Sequence, residues 1–184
     1  MENAMRLFAA LPIPDTIGHV LRGVQHGVPG AHWRPVENFH ITLCFYGEIA
    51  DPLMIAELED ELSRIEAPAL CLRLDQAGVF GGKEPRALWM GIADNPALKA
   101  LAEDTRRAAQ RLGLKMEHKR YIPHITLAYC RGTTDADAAR YLERLSGLCT
   151  PEFEVSHFTL YRSKLGTGPA HYIPKAHYTL DDGV

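Results

Sequence analysis

The chain has 184 residues, a length that fits one domain or two small lobes, and its 46% apolar and 23% charged residues are ordinary for a soluble globular protein. No apolar run approaches membrane-spanning length and no charged-then-apolar leader precedes the first expected strand, so neither a membrane protein nor a secreted one is expected. The net charge of −3 argues against a protein that coats nucleic acid non-specifically but leaves room for a local cation cluster at a nucleic-acid end, and the four cysteines (Cys44, Cys71, Cys130, Cys149) form no Cys-x-x-Cys pair and read as reduced thiols of a cytoplasmic protein.

Arg6 to Leu11 is a short apolar run that reads as a buried strand, ended by Pro12 and Pro14. Ile17, Val20, Leu21 and Val24 recur at helical spacing, which predicts a helix to about His26. Residues 28–37 hold two prolines and a glycine and read as a loop carrying Trp33 and Arg34, with Trp33 either a lid on the core or a substrate contact. A strand follows from Asn38 to Tyr46, closed by Gly47. Asp51-Pro52 reads as a helix N-cap with proline in the first turn, and Leu58, Leu62 and Ile65 form the inward stripe of that helix. Leu70, Leu72 and Leu74 alternate with polar residues as in a strand, and Gly78, Gly81, Gly82 and Pro85 mark a loop without the Gly-Lys-Ser/Thr ending of a nucleotide cradle.

The second half repeats this order. Arg86 to Ile92 reads as a buried strand, and Asn95-Pro96 caps a helix ending at Gly113. A polar stretch, Glu117-His118-Lys119-Arg120, leads into a strand from Tyr121 to Cys130. A helix starts at Asp135, a long strand runs from Glu152 to Arg162, a turn spans Leu165 to Pro169, and a last strand runs from His171 to Leu180 with Pro174 marking an edge. The self-similar unit of about 85 residues is too long for a solenoid repeat. It predicts an α+β protein, a single domain over residues 1–184 made of two similar lobes in a pseudo-two-fold arrangement.

Both central strands carry the same tetrapeptide, His40-Ile41-Thr42-Leu43 and His124-Ile125-Thr126-Leu127. With 9 His, 10 Thr and 22 Leu in the chain, chance supplies roughly 0.06 copies of His-x-Thr-Leu, so the doubling is not composition. Strand alternation puts His and Thr on one face and Ile and Leu on the other. Two such strands placed opposite each other give a cleft between lobes with an imidazole on each wall.

These features, with Met5-Arg6-Leu7-Phe8, Trp33 through Gly47, Pro85 to Trp89, Pro123 to Ala128, Leu160 to Leu165 and Tyr172, make the chain similar to the 2H phosphoesterases over nearly its whole length. Within them it most resembles the RNA 2′,3′-cyclic phosphodiesterases, also called 2′–5′ RNA ligases. The resemblance implies a bilobal fold with two sheets, outer helices and a central cleft. It also implies a monomer acting on RNA ends or cyclic-phosphate nucleotides without a cofactor or metal. By resemblance, His40 is the proton donor to the leaving oxygen and His124 the proton acceptor from water, while the residues alone leave the two roles interchangeable. The chain departs from the family pattern at Tyr129, where bacterial members usually carry Arg, with Arg131 two residues on.

Opening a cyclic phosphate needs a base on the water side and an acid on the leaving-group side, and imidazole suits both. The reactive nitrogens should then lie roughly 6–8 Å apart across the phosphate. The hydroxyls of Thr42 and Thr126 can stabilise the phosphoryl oxygens. The near-symmetry also allows the same pair to join an RNA hydroxyl end to a cyclic phosphate without ATP. Arg34, Lys119, Arg120, Arg131, Arg162 and Lys164 are candidate RNA-facing cations, and Phe45, Tyr46, Tyr121 and Tyr129 are candidate stacking partners for a base. A Cys44 nucleophile would sit about 13 Å along the strand from His40, beyond hydrogen-bond reach, and the remaining histidines show no metal-ligand spacing. Two rival readings stay open: a cyclic phosphodiesterase for small nucleotides, and a quiet module that binds RNA ends.

Overall fold

The computed structural model describes residues 4–116, 120–164, 166 and 170–181; Lys119 and most of the turn expected at 165–169 lie outside them. In chain order, β1 (Met5–Pro12) is the first apolar run, with Leu7 to Leu11 buried. α1 (Asp15–Gly23) ends earlier than the periodicity predicts. The stretch read as a loop holds a short strand, β2 (Ala31–Trp33), and one 3₁₀ turn (Val36–Asn38). β3 (His40–Ile49) carries the first motif. α2 (Pro52–Ser63) starts as expected, with the Asp51 carboxylate accepting from the Leu53 amide at 2.9 Å.

The alternating leucines divide into β4 (Leu70–Leu72) and β5 (Leu74–Phe80), so Gly78 lies inside a strand and not in the loop. The reason is spatial: a Cβ on Gly78 would stand 2.1 Å from Cζ2 of Trp89, whose indole occupies the place of a side chain. β6 (Ala87–Ile92) precedes α3 (Pro96–Arg111), capped by the Asn95 side chain accepting from the Leu98 amide at 2.9 Å. β7 (His124–Cys130) carries the second motif. α4 (Asp135–Arg144) begins with a reciprocal Thr134–Asp137 capping box. The expected long strand is two, β8 (Phe153–Val155) and β9 (His157–Lys164), and β10 (His171–Thr179) follows.

One antiparallel sheet has the order β10-β9-β1-β3 and the other β2-β7-β6-β5; β4 and β8 form a separate ribbon. Each motif strand thus pairs with the apolar strand that opens its own half, β3 with β1 and β7 with β6. The closing strands cross over: β9 pairs with β1, and β5 pairs with β6. Sheet and sequence half therefore do not coincide. Pro174 lies on edge strand β10, at a register shift, where its missing N–H costs no ladder bond.

The two sheets meet where β3 touches β7, and the Tyr121 hydroxyl donates to the Thr42 carbonyl at 3.0 Å across the junction. α3 packs on β3, where the Tyr46 hydroxyl donates to the Thr105 carbonyl at 3.4 Å. One hydrophobic cluster runs through both sheets and includes Leu7, Ile41, Leu43, Ile125, Leu127 and Phe158. Burying each motif Ile or Leu is worth about 1.5–3 kcal/mol. A one-residue slip of either strand would exchange those side chains for His and Thr, so the core fixes the register that presents the histidines. Among the described residues, no helix is long and apolar enough to cross a membrane.

Candidate active site

Both motif strands break their alternation at the same residue. In the β1–β3 ladder Ala9 opposes Cys44 and Ala10 opposes Thr42, leaving Leu43 without a partner. In the β6–β7 ladder Leu88 opposes Ala128 and Trp89 opposes Thr126, leaving Leu127 without one. These are matched β-bulges. Strict alternation would bury Phe45 beside Ile41 and Leu43; the bulge instead buries Cys44 and leaves Phe45 44% exposed. The second bulge likewise buries Ala128 and leaves Tyr129 51% exposed. Each bulge thus swings an aromatic ring onto the face that carries the motif histidine.

The histidines are held alike. Nδ1 of His40 donates to the Asn38 carbonyl at 2.7 Å, and Nδ1 of His124 donates to the Ile122 carbonyl at 2.7 Å. A carbonyl can only accept, so Nδ1 carries the hydrogen in both rings and Nε2 is the nitrogen left for chemistry. Two aromatic rings pack on each imidazole. His40 lies 5.1 Å from Phe8 and 5.0 Å, edge to face, from Tyr172. His124 lies 4.9 Å, edge to face, from Phe80 and 5.9 Å from Trp89. Burial by these rings lowers both pKa values, that of His40 to about 4, with the Asn38 bond opposing and the charges of Arg34 and His124 adding to the fall.

The cleft has two adjoining parts that share Thr42 and Phe45 as walls. On the His40 side, about 450 Å³ is bordered by Arg6, Arg34, Tyr129, Ser163 and Tyr172. On the His124 side, about 940 Å³ is bordered by Phe80, Lys115, Arg120, Tyr121 and Ile122, among others. Arg34 is the notable cation: it is 8% exposed, and no carboxylate among the described residues pairs with it. Its guanidinium donates to the Tyr172 hydroxyl at 3.1 Å and lies 5.2 Å from the Tyr129 ring centre. A buried cation that, among the described residues, is met by aromatic faces and a phenol is suited to receive an anion.

Of the residues singled out from the sequence, the cleft therefore collects His40, His124, Thr42, Phe45, Tyr46, Tyr121, Tyr129, Arg34 and Arg120. Thr126 is half-buried on the His124 face of β7 but borders neither part. Arg131 also borders neither part: its amide bonds to the Gly30 carbonyl at 2.8 Å, just past the end of β7, and the residue is exposed. Arg162 and Lys164 likewise border neither part. Trp33 packs on Tyr141 at 5.7 Å as a lid on the core. Cys44 is buried and its thiol is pushed up to about 12, so it is protonated at neutral pH and unfit as a nucleophile. Among the described residues no three His, Cys, Asp or Glu side chains cluster as a metal site.

Sequence reasoning missed Arg6, Phe8, Phe80, Trp89 and Tyr172 as the site's surroundings. The Arg6 guanidinium lies 4.8 Å from the Phe45 ring centre and completes the wall on the His40 side. Its sequence signals were a charge at the start of an otherwise apolar strand and its place in the family-like stretch Met5 to Phe8, neither of which assigns it to the site. Tyr172 reaches the site from the last strand, most of a chain length after His40, and no local pattern reveals that.

The chain is 31% identical to the RNA 2′,3′-cyclic phosphodiesterase of Escherichia coli, over 98% of this chain and 99% of that one. It superposes on the crystal structure of Escherichia coli LigT complexed with 3′-AMP with a TM-score of 0.78, at 27% identity, covering 97% of this chain and 99% of that one. The Thermus thermophilus protein TT0787 gives a TM-score of 0.79 at 25% identity, covering 98% of this chain and 100% of that one. The family model described as the 2′-5′ RNA ligase superfamily matches residues 14–167, and with the full-length relatives it shows that the chain belongs to that superfamily.

Proposed function

We propose that the chain hydrolyses the 2′,3′-cyclic phosphate ends of RNA to 2′-phosphate ends, by acid/base catalysis between His40 and His124 and without a metal. The observation that carries this reading is the matched pair of half-buried imidazoles. Each has its Nδ1 committed to a backbone carbonyl at 2.7 Å, and the two border adjoining cavities that share Thr42 and Phe45 as walls. Full-length relatives named RNA 2′,3′-cyclic phosphodiesterase, and a structural neighbour solved with 3′-AMP, support both the reaction and a nucleotide ligand.

In the reaction, Nε2 of His124 takes a proton from water as the oxygen attacks phosphorus. The bond from phosphorus to the 3′-oxygen breaks in line, and Nε2 of His40 returns a proton to that oxygen. The Thr42 hydroxyl and Arg34 stabilise the non-bridging oxygens as charge builds on them. A donor must carry its proton before the step, yet burial makes His40 neutral in the free protein. The phosphate anion of the substrate reverses this balance. It neutralises Arg34 and places a negative charge against the imidazole, and so draws a proton onto His40.

The test compares turnover of a cyclic-phosphate-ended oligoribonucleotide with that of 2′,3′-cyclic mononucleotides, with product regiochemistry read out. His40→Ala and His124→Ala should each lower turnover by about 10²–10⁴ with folding retained, and excess chelator should change nothing. Full activity in either variant, or loss with chelator, defeats the two-imidazole scheme. Preference for the mononucleotides would favour the small-nucleotide reading.

A further inference from the structure

Arg34 stands where a ladder ends. β2 closes at Trp33, paired with Ala128 of β7, and the residue after Arg34 is Pro35, which has no N–H to carry the pairing further. The Arg34 amide still donates to the Leu127 carbonyl at 2.8 Å. The chain then turns away through Pro35 into the 3₁₀ turn that leads to His40. The donor that meets the Arg34 carbonyl is a side chain. Gln25 lies half-buried just past the end of α1, and its Nε2 donates to the Arg34 carbonyl at 2.7 Å and to the Leu127 carbonyl at 3.0 Å. A primary amide nitrogen carries two hydrogens, so one atom serves both carbonyls. The Leu127 carbonyl has two lone pairs and takes one donor from Arg34 and one from Gln25. Leu127 is the bulged residue of β7, and Tyr129 follows it by two positions. One side-chain amide thus ties the backbone that carries the cation to the backbone that carries its aromatic seat.

We infer that Gln25 is a positioning residue for the substrate phosphate, acting through Arg34: its amide holds the Arg34 and Leu127 backbones together and so fixes where the guanidinium stands over Tyr129. The inference rests on the phosphate-binding role given to Arg34 above. Gln25 itself borders neither part of the cleft, so its effect on substrate has to pass through another residue. The guanidinium ends a long side chain, and a small tilt of the backbone moves it far; a displacement of about 1 Å at a reacting group can cost about 100-fold in rate. The chemistry of the tie demands an amide. A hydrocarbon of the same length leaves both carbonyls without this donor, and a carboxylate sets its oxygens against two carbonyl oxygens.

The experiment measures steady-state hydrolysis of a cyclic-phosphate-ended oligoribonucleotide, and calorimetric binding of a nucleoside 2′-monophosphate, in Gln25→Met, Arg34→Ala and the double variant. Gln25→Met should raise KM and weaken monophosphate binding by about 10-fold each, with kcat within about threefold. Gln25→Glu should do more in the same direction; should it fail to fold, Gln25→Met, which buries no charge, decides alone. In the Arg34→Ala background Gln25→Met should change KM and binding by less than about twofold, because the group it positions is gone. Unchanged KM and binding in Gln25→Met overturns the inference. So do losses that multiply in the double variant, or a fall in kcat with KM unmoved, either of which would leave Gln25 a role in the fold alone. If the unsubstituted protein hydrolyses no cyclic phosphate, the functional reading falls while the binding measurements still decide the part of Gln25; if it binds no monophosphate either, both fall.

Discussion

The guanidinium of Arg34 lies 5.2 Å from the ring centre of Tyr129, the exposed aromatic residue two positions past Leu127 on the second motif strand. The ring forms a seat for a cation delivered from another part of the chain. Arg34 reaches it because β2 runs along the end of β7 and the Arg34 amide bonds to the Leu127 carbonyl at 2.8 Å.

Replacing that cation should act on substrate binding. Arg34→Ala is expected to raise KM about 10- to 100-fold, and Arg34→Lys to recover only part, because an ammonium lacks the planar face that stacks on Tyr129 and Tyr172. Thermal stability should hold, since no carboxylate among the described residues pairs with the buried charge to be left stranded. Steady-state kinetics on the two variants check this, and an unchanged KM would remove Arg34 from the phosphate's surroundings.

The pH profiles should separate free and bound protein. In the free protein both imidazoles titrate below their ordinary value, His40 at about 4. The maximum of kcat/KM, which reports the free protein, should therefore lie below pH 6.5. The maximum of kcat should lie at higher pH, because the bound phosphate anion raises both values. A kcat/KM maximum at neutral or alkaline pH would contradict the burial account of the two rings.

Stability should follow pH with the same sign. His40 titrates at about 4 when folded and near 6.5 when unfolded, so between those values the unfolded chain binds the extra proton. Its contribution is complete above pH 6.5 and is lost as the pH falls toward 4, by up to about 3 kcal/mol, with His124 adding in the same direction. Urea unfolding at pH 7 and pH 4.5 should show a smaller loss in His40→Gln than in the unsubstituted protein. Equal losses in both would show that His40 is not held neutral by the fold.

Gly78 should matter to the site without touching it. A Cβ there would displace Trp89, which packs 5.9 Å from His124 and 5.2 Å from Phe80, itself edge-on to the same histidine. Gly78→Ala is expected to cost about 1–3 kcal/mol through overpacking and to lower turnover about 10-fold. Gly23→Ala, where a Cβ would meet nothing within 4 Å, serves as the control and should leave activity unchanged. Full activity in Gly78→Ala would show that His124 keeps its position without Trp89.

Local chemistry by itself determined much of this protein. The helix caps at Asp51 and Asn95, the apolar strands and the polar-apolar alternation of the two motifs are read from neighbouring residues, because they depend on side-chain period and on backbone groups a few positions away. The doubling of His-Ile-Thr-Leu pointed to the two imidazoles for the same reason: both faces of each strand are written within four residues. Tertiary structure alone decided what depends on partners far along the chain. The bulges at Leu43 and Leu127 exist only against β1 and β6, and without them Phe45 and Tyr129 would face the core. The crossing of β5 and β9 into opposite sheets, the seating of Arg34 on Tyr129 and Tyr172, and the remoteness of Arg131 all arise from pairings between segments distant in sequence. Such pairings are set by the burial of the whole core, and no local periodicity encodes them.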